Sequence, residues 1–380
     1  MNPDRRKFLL SLVLSPLLAS AGPGGALARS GRLPSRINLS ANAAADGRYG
    51  FAAIGGGGEK LFEHRLPGRG HGFAVRPGGD EAAVFARRPG RFAVAFDVRS
   101  GVVTATLAPP EGRHFFGHGA FSADGGTLFT TENDYNAGRG VIGLWDARAG
   151  YRRIGEFPSR GIGPHEMLLD ADGGTLIVAN GGLLTHPDFG RRKLNIPTMN
   201  PSLAYLDARN GRLLEEHFLP APRHRLLSVR HIAQAGDGTV CVALQDQGPR
   251  GDTMSLVAFH RRGEDALALA EAPPPVTRRL RGYMGSVAVD ASGSIAAVSA
   301  PRGNLITFWS AAERRYLGSV ELADGCGVAA DGATGGFVAT SGAGGAIHVN
   351  AVDRAAVPAT ADFFLSRHWD NHLVPVVRPS

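Results

Sequence analysis

Two stretches of the chain say nearly the same thing, one opening at His118 and the other at His165, and that repetition limits the fold more than composition does. The first runs through A-F-S-A-D-G-G-T-L-F-T-T (120–131), a polar run from Thr131, and V-I-G-L-W-D-A-R-A-G (141–150). The second runs through M-L-L-D-A-D-G-G-T-L-I-V-A (167–179), a longer polar run from Asn180, and S-L-A-Y-L-D-A-R-N-G (202–211). Short apolar segments divided by Asp-Gly turns read as strands. A period of roughly 20 to 50 residues in such a chain points to a propeller or a solenoid, because one unit cannot bury its apolar face alone.

The residue that opens each unit can be followed along the chain as His71, His118, His165, His231, Ser286, Gly327 and His372. The spacings are 47, 47, 66, 55, 41 and 45, the third being long because one loop is. Only eight residues follow His372, so the seventh unit cannot be completed there. Gly50 to Gly55 and Lys60 to Leu66, in turn, precede the first landmark without an opening strand of their own. An all-β, seven-bladed propeller of WD40/YVTN type accounts for both leftovers if its last blade is closed by N- and C-terminal strands. Closure also removes the sheet edges that invite aggregation. The expected organisation is a signal peptide at 1–28, a linker at 29–47 and one propeller at 48–380.

Composition agrees and excludes other classes. The 53 glycines and 24 prolines among 380 residues supply the many tight turns such a fold needs. Of the formal charge of +7, the segment Asp4-Arg5-Arg6-Lys7 carries a net +2, and no basic run lies beside stacking aromatics in the rest, which argues against nucleic acid. Those twin arginines precede an apolar stretch to Ala21 and an Ala26-Leu27-Ala28 cleavage site, the pattern of a twin-arginine signal. The apolar stretch contains Pro16 and is shorter than the roughly 20 residues of a membrane span, so cleavage, a periplasmic location and no stable membrane insertion are expected. Cys241 and Cys326 fall in strands of non-neighbouring repeats and read as buried, unbridged side chains.

In a four-stranded blade, the link into the first strand and the loop between the second and third strands share one face. Here the opposite face receives generic hairpins such as Asp124-Gly125-Gly126 and Asp172-Gly173-Gly174. The first face receives all five landmark histidines, Glu132-Asn133, the loop from Asn180 to Ser202, and Arg302 to Asn304, so function belongs there. Blade symmetry carries equivalent side chains onto a ring. His71, His118, His165, His231 and His372 are therefore expected to converge at one mouth of the channel, with at least three able to reach a common point as metal ligands. Neutral imidazole suits zinc, copper and iron alike. The same rings could instead cap the inner strands.

His114, Glu132, Asn133, Glu166, Asn180, His186, Arg230, Arg302 and Asn304 complete the candidate ligand-binding set. Glu132 and Glu166 could join a mixed ligand set or act as bases, or could pair with Arg139, Arg230 or Arg302. His114 could sit above the ring or pack against Phe115 and Phe116. The loop from Asn180 to Ser202, with Arg191, Arg192 and Lys193, is long enough to be a lid that attracts an anion, or a solvated loop held by its prolines. No G-x-S-x-G or H-E-x-x-H is present, against the common serine hydrolases and zincins.

The motifs G-R-H-F-F-G-H-G (112–119), T-E-N-D-Y (131–135), G-P-H-E (163–166), V-A-N-G-G (178–182), S-V-R-H (228–231) and W-D-N-H (369–372) together resemble an uncharacterised family of exported bacterial propellers. That family is similar in architecture to YVTN and quinoprotein amine dehydrogenase heavy-chain propellers, and is often encoded beside imelysin-type iron-uptake proteins. The histidine-lined hub also resembles the copper-cluster site of nitrous oxide reductase, without that enzyme's sequence. The resemblance implies no established activity; by association it points to periplasmic iron or redox chemistry, with iron or copper as the expected cofactor and an iron-uptake or redox protein as the expected partner. The chain itself is expected to be a monomer. Three functions stay open: a metal-binding or redox accessory protein, a propeller enzyme of lactonase or dehydrogenase type, and a protein-interaction scaffold with no hub chemistry.

Overall fold

Each repeat forms a sheet whose middle strands are apolar on both faces and whose last strand is not. Thr175–Asn180 and Ser202–Asp207 are buried along their whole length, whereas Arg152–Pro158 alternates exposed and half-buried residues. Such a gradient arises when a sheet packs between two others and turns only its outer strand to water. The hairpins hold themselves: the Asp172 carboxylate accepts from the amides of Gly174 at 2.7 Å and Thr175 at 3.0 Å, and Gly173 takes a φ of +69° that glycine adopts without strain.

A computed structural model describes residues 36–377, apart from 191, 221 and 250–252. Among these residues the strands form seven sheets, the blades of a propeller. Blades 1 to 6 are contiguous in sequence, each four antiparallel strands running from the axis outward. Their innermost strands are Gly70–Val75, Arg113–Phe121, Pro164–Leu169, Leu227–Gln234, Ser286–Val289 and Gly325–Ala330. The core lies between blades. Val229, Val242 and Phe259 of blade 4 pack with Ile177 and Tyr205 of blade 3 and with Val298 and Trp309 of blade 5. Both cysteines are buried and unbridged.

Blade 7 is built from both chain ends. Two short strands, Arg367–Trp369 and Val374–Val376, pair end to end along one edge of Ile37–Ala44, which pairs on its other edge with Tyr49–Gly55 and through it with Lys60–Arg65. Three further contacts lock this seam. Ser40 Oγ donates to the His372 carbonyl at 2.7 Å, the Asp370 amide to the Ala41 carbonyl at 2.9 Å, and the Arg367 guanidinium grips Glu63 with both arms at 2.7 and 2.8 Å.

The sequence reading placed the closing blade correctly but missed one strand of it. Ile37–Ala44 lies in the stretch read as a linker, and it separates the C-terminal strands from Gly50 to Gly55. Its text, I-N-L-S-A-N, alternates apolar with polar residues, yet both faces are buried: Ile37 and Leu39 meet the core of blade 1, while Asn38, Ser40 and Asn42 are also inside. The alternation was the available signal. The signal peptide expected at 1–28 lies outside the described residues.

Deleting residues 366–380 should expose the edge of Ile37–Ala44 and give a chain that aggregates or melts without cooperativity, read by light scattering and thermal denaturation. The Glu63 carboxyl is held below the usual glutamate range, chiefly by its hydrogen bond from Arg367. Because its folded pKa is depressed, its contribution is complete above the ordinary value and disappears as pH falls through the lower folded one. Glu63→Gln should therefore cost roughly 1 kcal/mol at neutral pH, and that difference should vanish in acid.

Candidate metal centre

The inner strands are bulged where the histidines sit. Pairing with the second strand breaks register between Gly70 and Phe73, Phe115 and Gly119, Pro164 and Glu166, and Val229 and His231. A bulge re-aims side chains that regular pleating would send between the blades. Of the two blades without a landmark histidine, blade 5 pairs without a break, while blade 6 breaks register between Gly325 and Val328. In blade 7 the interruption between the two C-terminal strands does the same for His372. Close approach of the first two rings depends on glycine. A Cβ on Gly72 would fall 2.6 Å from His118 Nδ1, and one on Gly117, at a φ of +105°, would fall 2.7 Å from the His71 ring.

All five histidines meet. Nine of the ten ring pairs have centroids between 4.5 and 6.3 Å apart, and every ring is buried. One ligand atom each from His118, Glu166, His231 and His372 lie within 4.8 Å of one another, as do one each from His71, His118 and His165. Two carboxylates orient the rings from behind. Glu166 stands 3.0 Å from His231 Nδ1 and 3.4 Å from His118 Nδ1, and Asp370 stands 2.7 Å from His71 Nδ1 while also pairing with Arg69 and Arg87.

Electrostatics set the protonation. Burial pushes His71 down to about 3 despite Asp370, depresses His231 despite Glu166, and drives His165 and His372 well below the ordinary histidine value. Burial opposes charge on Glu166 and Asp370 too, but the hydrogen bonds and charges of their partners outweigh it and keep both ionised. A neutral imidazole that donates Nδ1–H to a carboxylate carries its lone pair on Nε2. Among the described residues, the Nε2 atoms of His118, His231 and His372 and the Nδ1 of His165 are buried with no hydrogen-bond partner.

Of the other candidates, only Glu166 joins the hub, and it does so through His118 and His231 rather than through an arginine. Glu132 is turned away: its carboxylate accepts from Arg153 at 2.7 Å and Thr130 at 2.8 Å, beneath the Trp145 ring that stacks on Arg153. His114 packs, donating Nδ1–H to the Phe115 carbonyl and accepting at Nε2 from the Asn133 amide, which also donates to the Thr185 carbonyl. His186 meets the Tyr135 ring edge-on, with centroids 4.8 Å apart. Asn180 ties the Ser159 carbonyl to Ser202, and Asn304 holds a left-handed turn and accepts from the Asp324 amide. Arg230 lines a small space over His71, His165 and His231, and Arg302 lies over the Tyr283 ring at 4.5 Å.

The loop from Asn180 to Ser202 is on the histidine-bearing face, held through Thr185 and His186 to blade 2 and through Lys193 to Gln247 of blade 4. None of its described residues lines the space over the rings. Asp370 was the functional residue that sequence reasoning left out, although it stands two places before His372 in W-D-N-H.

A family model described as "Protein of unknown function (DUF1513)" matches residues 64–376. No curated protein matches the chain significantly. Among solved structures, hydrazine synthase of Kuenenia stuttgartiensis aligns over 86% of this chain and 96% of its own, with a TM-score of 0.59 at 13% sequence identity. At that identity the likeness is one of fold.

Glu132 and the hub should separate experimentally. Glu132→Ala removes a buried carboxylate but leaves Arg153 paired with Glu156 at 3.1 Å, so it should cost roughly 1–2 kcal/mol in denaturant unfolding and leave metal content unchanged.

Proposed function

The chain belongs to the DUF1513 family of proteins of unknown function, and for this member we propose a transition-metal site at the five-histidine hub. The observation that carries the reading is the set of four buried ring nitrogens without partners. Leaving such groups unsatisfied costs about 1–3 kcal/mol each. Four of them would consume much of the roughly 5–15 kcal/mol that keeps a domain folded. Strand capping does not relieve that cost, because the atoms that would do the capping are the ones left unpaired. A metal does, since it can take such lone pairs, two of which belong to His118 and His231, whose Nδ1 atoms face Glu166.

The donor set favours a borderline metal, iron or copper by the family resemblance, with zinc also accommodated by imidazole. His118, His231 and His372 supply the first nitrogens, with His71 and His165 completing the set. Glu166 raises the basicity of two rings at once. The role that follows is a metal-binding or redox accessory protein. Arg5 and Arg6 extend it to export through the twin-arginine route, which carries folded proteins and so permits loading before export, and to a periplasmic iron-uptake or redox partner.

Metal analysis of protein exported by its own signal should find about one equivalent of a first-row metal per chain. His118→Ala together with His231→Ala should abolish it, and Glu166→Gln should weaken affinity by about 10- to 100-fold. Chelation should lower the melting temperature of the native protein and leave the double variant unmoved. Equal metal content in native and double-variant protein would return the histidines to structural use and leave an interaction scaffold as the better description.

A further inference from the structure

Two imidazoles meet a second time, at the outer part of the ring rather than at its axis. His217 lies in Leu213–Phe218, the outermost strand of blade 3, and His260 ends Val257–His260, the third strand of blade 4. Their ring centroids are 3.9 Å apart. Glu215 stands two places before His217, and a strand sends residues two apart to the same face. One ligand atom each from Glu215, His217 and His260 lie within 4.8 Å of one another, and none of the three belongs to the hub.

Each of these groups has a partner already, and the partners fix how an ion would fit. Glu215 Oε2 accepts from the Gly263 amide at 3.0 Å and stands 3.2 Å from His217 Nε2. Two donors held at roughly 2.0 to 2.2 Å by one tetrahedral ion lie roughly 3.3 to 3.6 Å apart, so this pair is spaced much as two ligands are. An ion replaces the hydrogen between them, the proton passing to His217 Nδ1. His260 Nε2 donates to the Glu264 carbonyl at 3.1 Å, and Nδ1 accepts from the Tyr205 hydroxyl at 2.7 Å. Whichever of these nitrogens takes the ion, the other keeps the partner it has now, which is how a ligating imidazole is usually held.

The charge around the three residues is negative after its pairs are counted. Arg262 stands 3.4 Å from Glu215 and also reaches Asp172 at 3.4 Å and the Thr175 hydroxyl at 3.1 Å, so it retains partners when Glu215 turns to an ion. Glu264 pairs with Arg314, Asp170 accepts from Gln234, and Arg261 acts on Asp237. Five carboxylates therefore stand with three guanidiniums. Burial first, and then Glu215, Asp170 and Glu264, hold the Tyr205 hydroxyl well above the ordinary tyrosine value, with Arg262 opposing them.

We propose that Glu215, His217 and His260 form a second metal site, one that takes a divalent ion of the zinc class and fastens the outer strand of blade 3 to blade 4. It does not rest on the hub. Two imidazoles and a carboxylate suit zinc or copper and not magnesium or calcium, which take oxygen donors. Three protein donors leave a fourth position to water. Glu215 and His217 are partly exposed, so the ion exchanges with solvent, and the site fills when zinc is added rather than holding metal through isolation.

Protein stripped with chelator, dialysed and equilibrated with zinc should take up an ion at this site and melt at a higher temperature, with magnesium doing neither. His217→Ala and Glu215→Gln should each bind one zinc fewer than native protein and lose that part of the shift, while melting close to native protein without zinc. His217→Cys, which keeps a zinc ligand, should regain the ion. The His118→Ala, His231→Ala protein should still take up one zinc, and none once His217→Ala is added. Equal zinc uptake by native protein, His217→Ala and Glu215→Gln would overturn the inference whatever the hub does. Zinc bound by native protein but not by the hub variant would also overturn it and leave the hub standing. Equal uptake by those two, lost on His217→Ala, would support this site and remove the hub.

Discussion

The pairing of the C-terminal strands along Ile37–Ala44 is the constraint on which the rest depends. It holds Ala52 and Ile54 of the N-terminal strands, with Trp369 and Leu373, against Ala329 and Val338 of blade 6, while Phe51 packs on Phe73 and Phe96 of blade 1. The same seam delivers chemistry. Asp370 and His372 lie in the four-residue break between the two C-terminal strands, so closing the ring places the fifth imidazole and the carboxylate that orients the first. Stability and site are thus linked through one short segment, because the chain ends are the only part of a propeller that no covalent repeat holds in place.

Within the closed ring, the hub forms by small local departures from regular sheet. Bulges turn the landmark side chains inward, and Gly72 and Gly117 clear the space for neighbouring rings. The result is a cluster of imidazoles in a dry setting beside two ionised carboxylates. Burial lowers the pKa values of His71, His165, His231 and His372 by removing water from the charged form, and the same loss of water makes an unpartnered lone pair costly. Both effects favour a cation arriving from elsewhere over protonation of the rings.

The blades are not equivalent, and the difference has a direction. Five of them contribute the histidines, while blades 5 and 6 carry Ser286 and Gly327 at that place and contribute Arg302 and Asp324 to a polar vestibule shared with blades 7 and 1. The Asn180–Ser202 loop, which by length and charge resembled a lid, instead braces the loops of blades 2 and 4. Its contacts to Asn133 and Gln247 hold it beside blades 2 and 4.

Seven repeats, the shared face of the histidines and the mixed last blade were all legible in the sequence, because they follow from spacing and from counting strands. Convergence of the five rings was legible for the same reason, since equivalent positions in a closed repeat share an axis. Partner choice was not. Glu132 and Glu166 look alike in the sequence, each close to a landmark histidine. The strand pairing of blade 2 turns Glu132 toward Arg153, whereas the bulge at His165 turns Glu166 toward His118 and His231. Likewise Asp370, Arg87 and Tyr283, remote from one another along the chain, become neighbours only through ring closure. The sequence by itself determined the repeat, and with it which residues face the axis; tertiary structure decided which of them touch, because side-chain contact depends on bulges and on the meeting of the two chain ends, neither of which periodicity encodes.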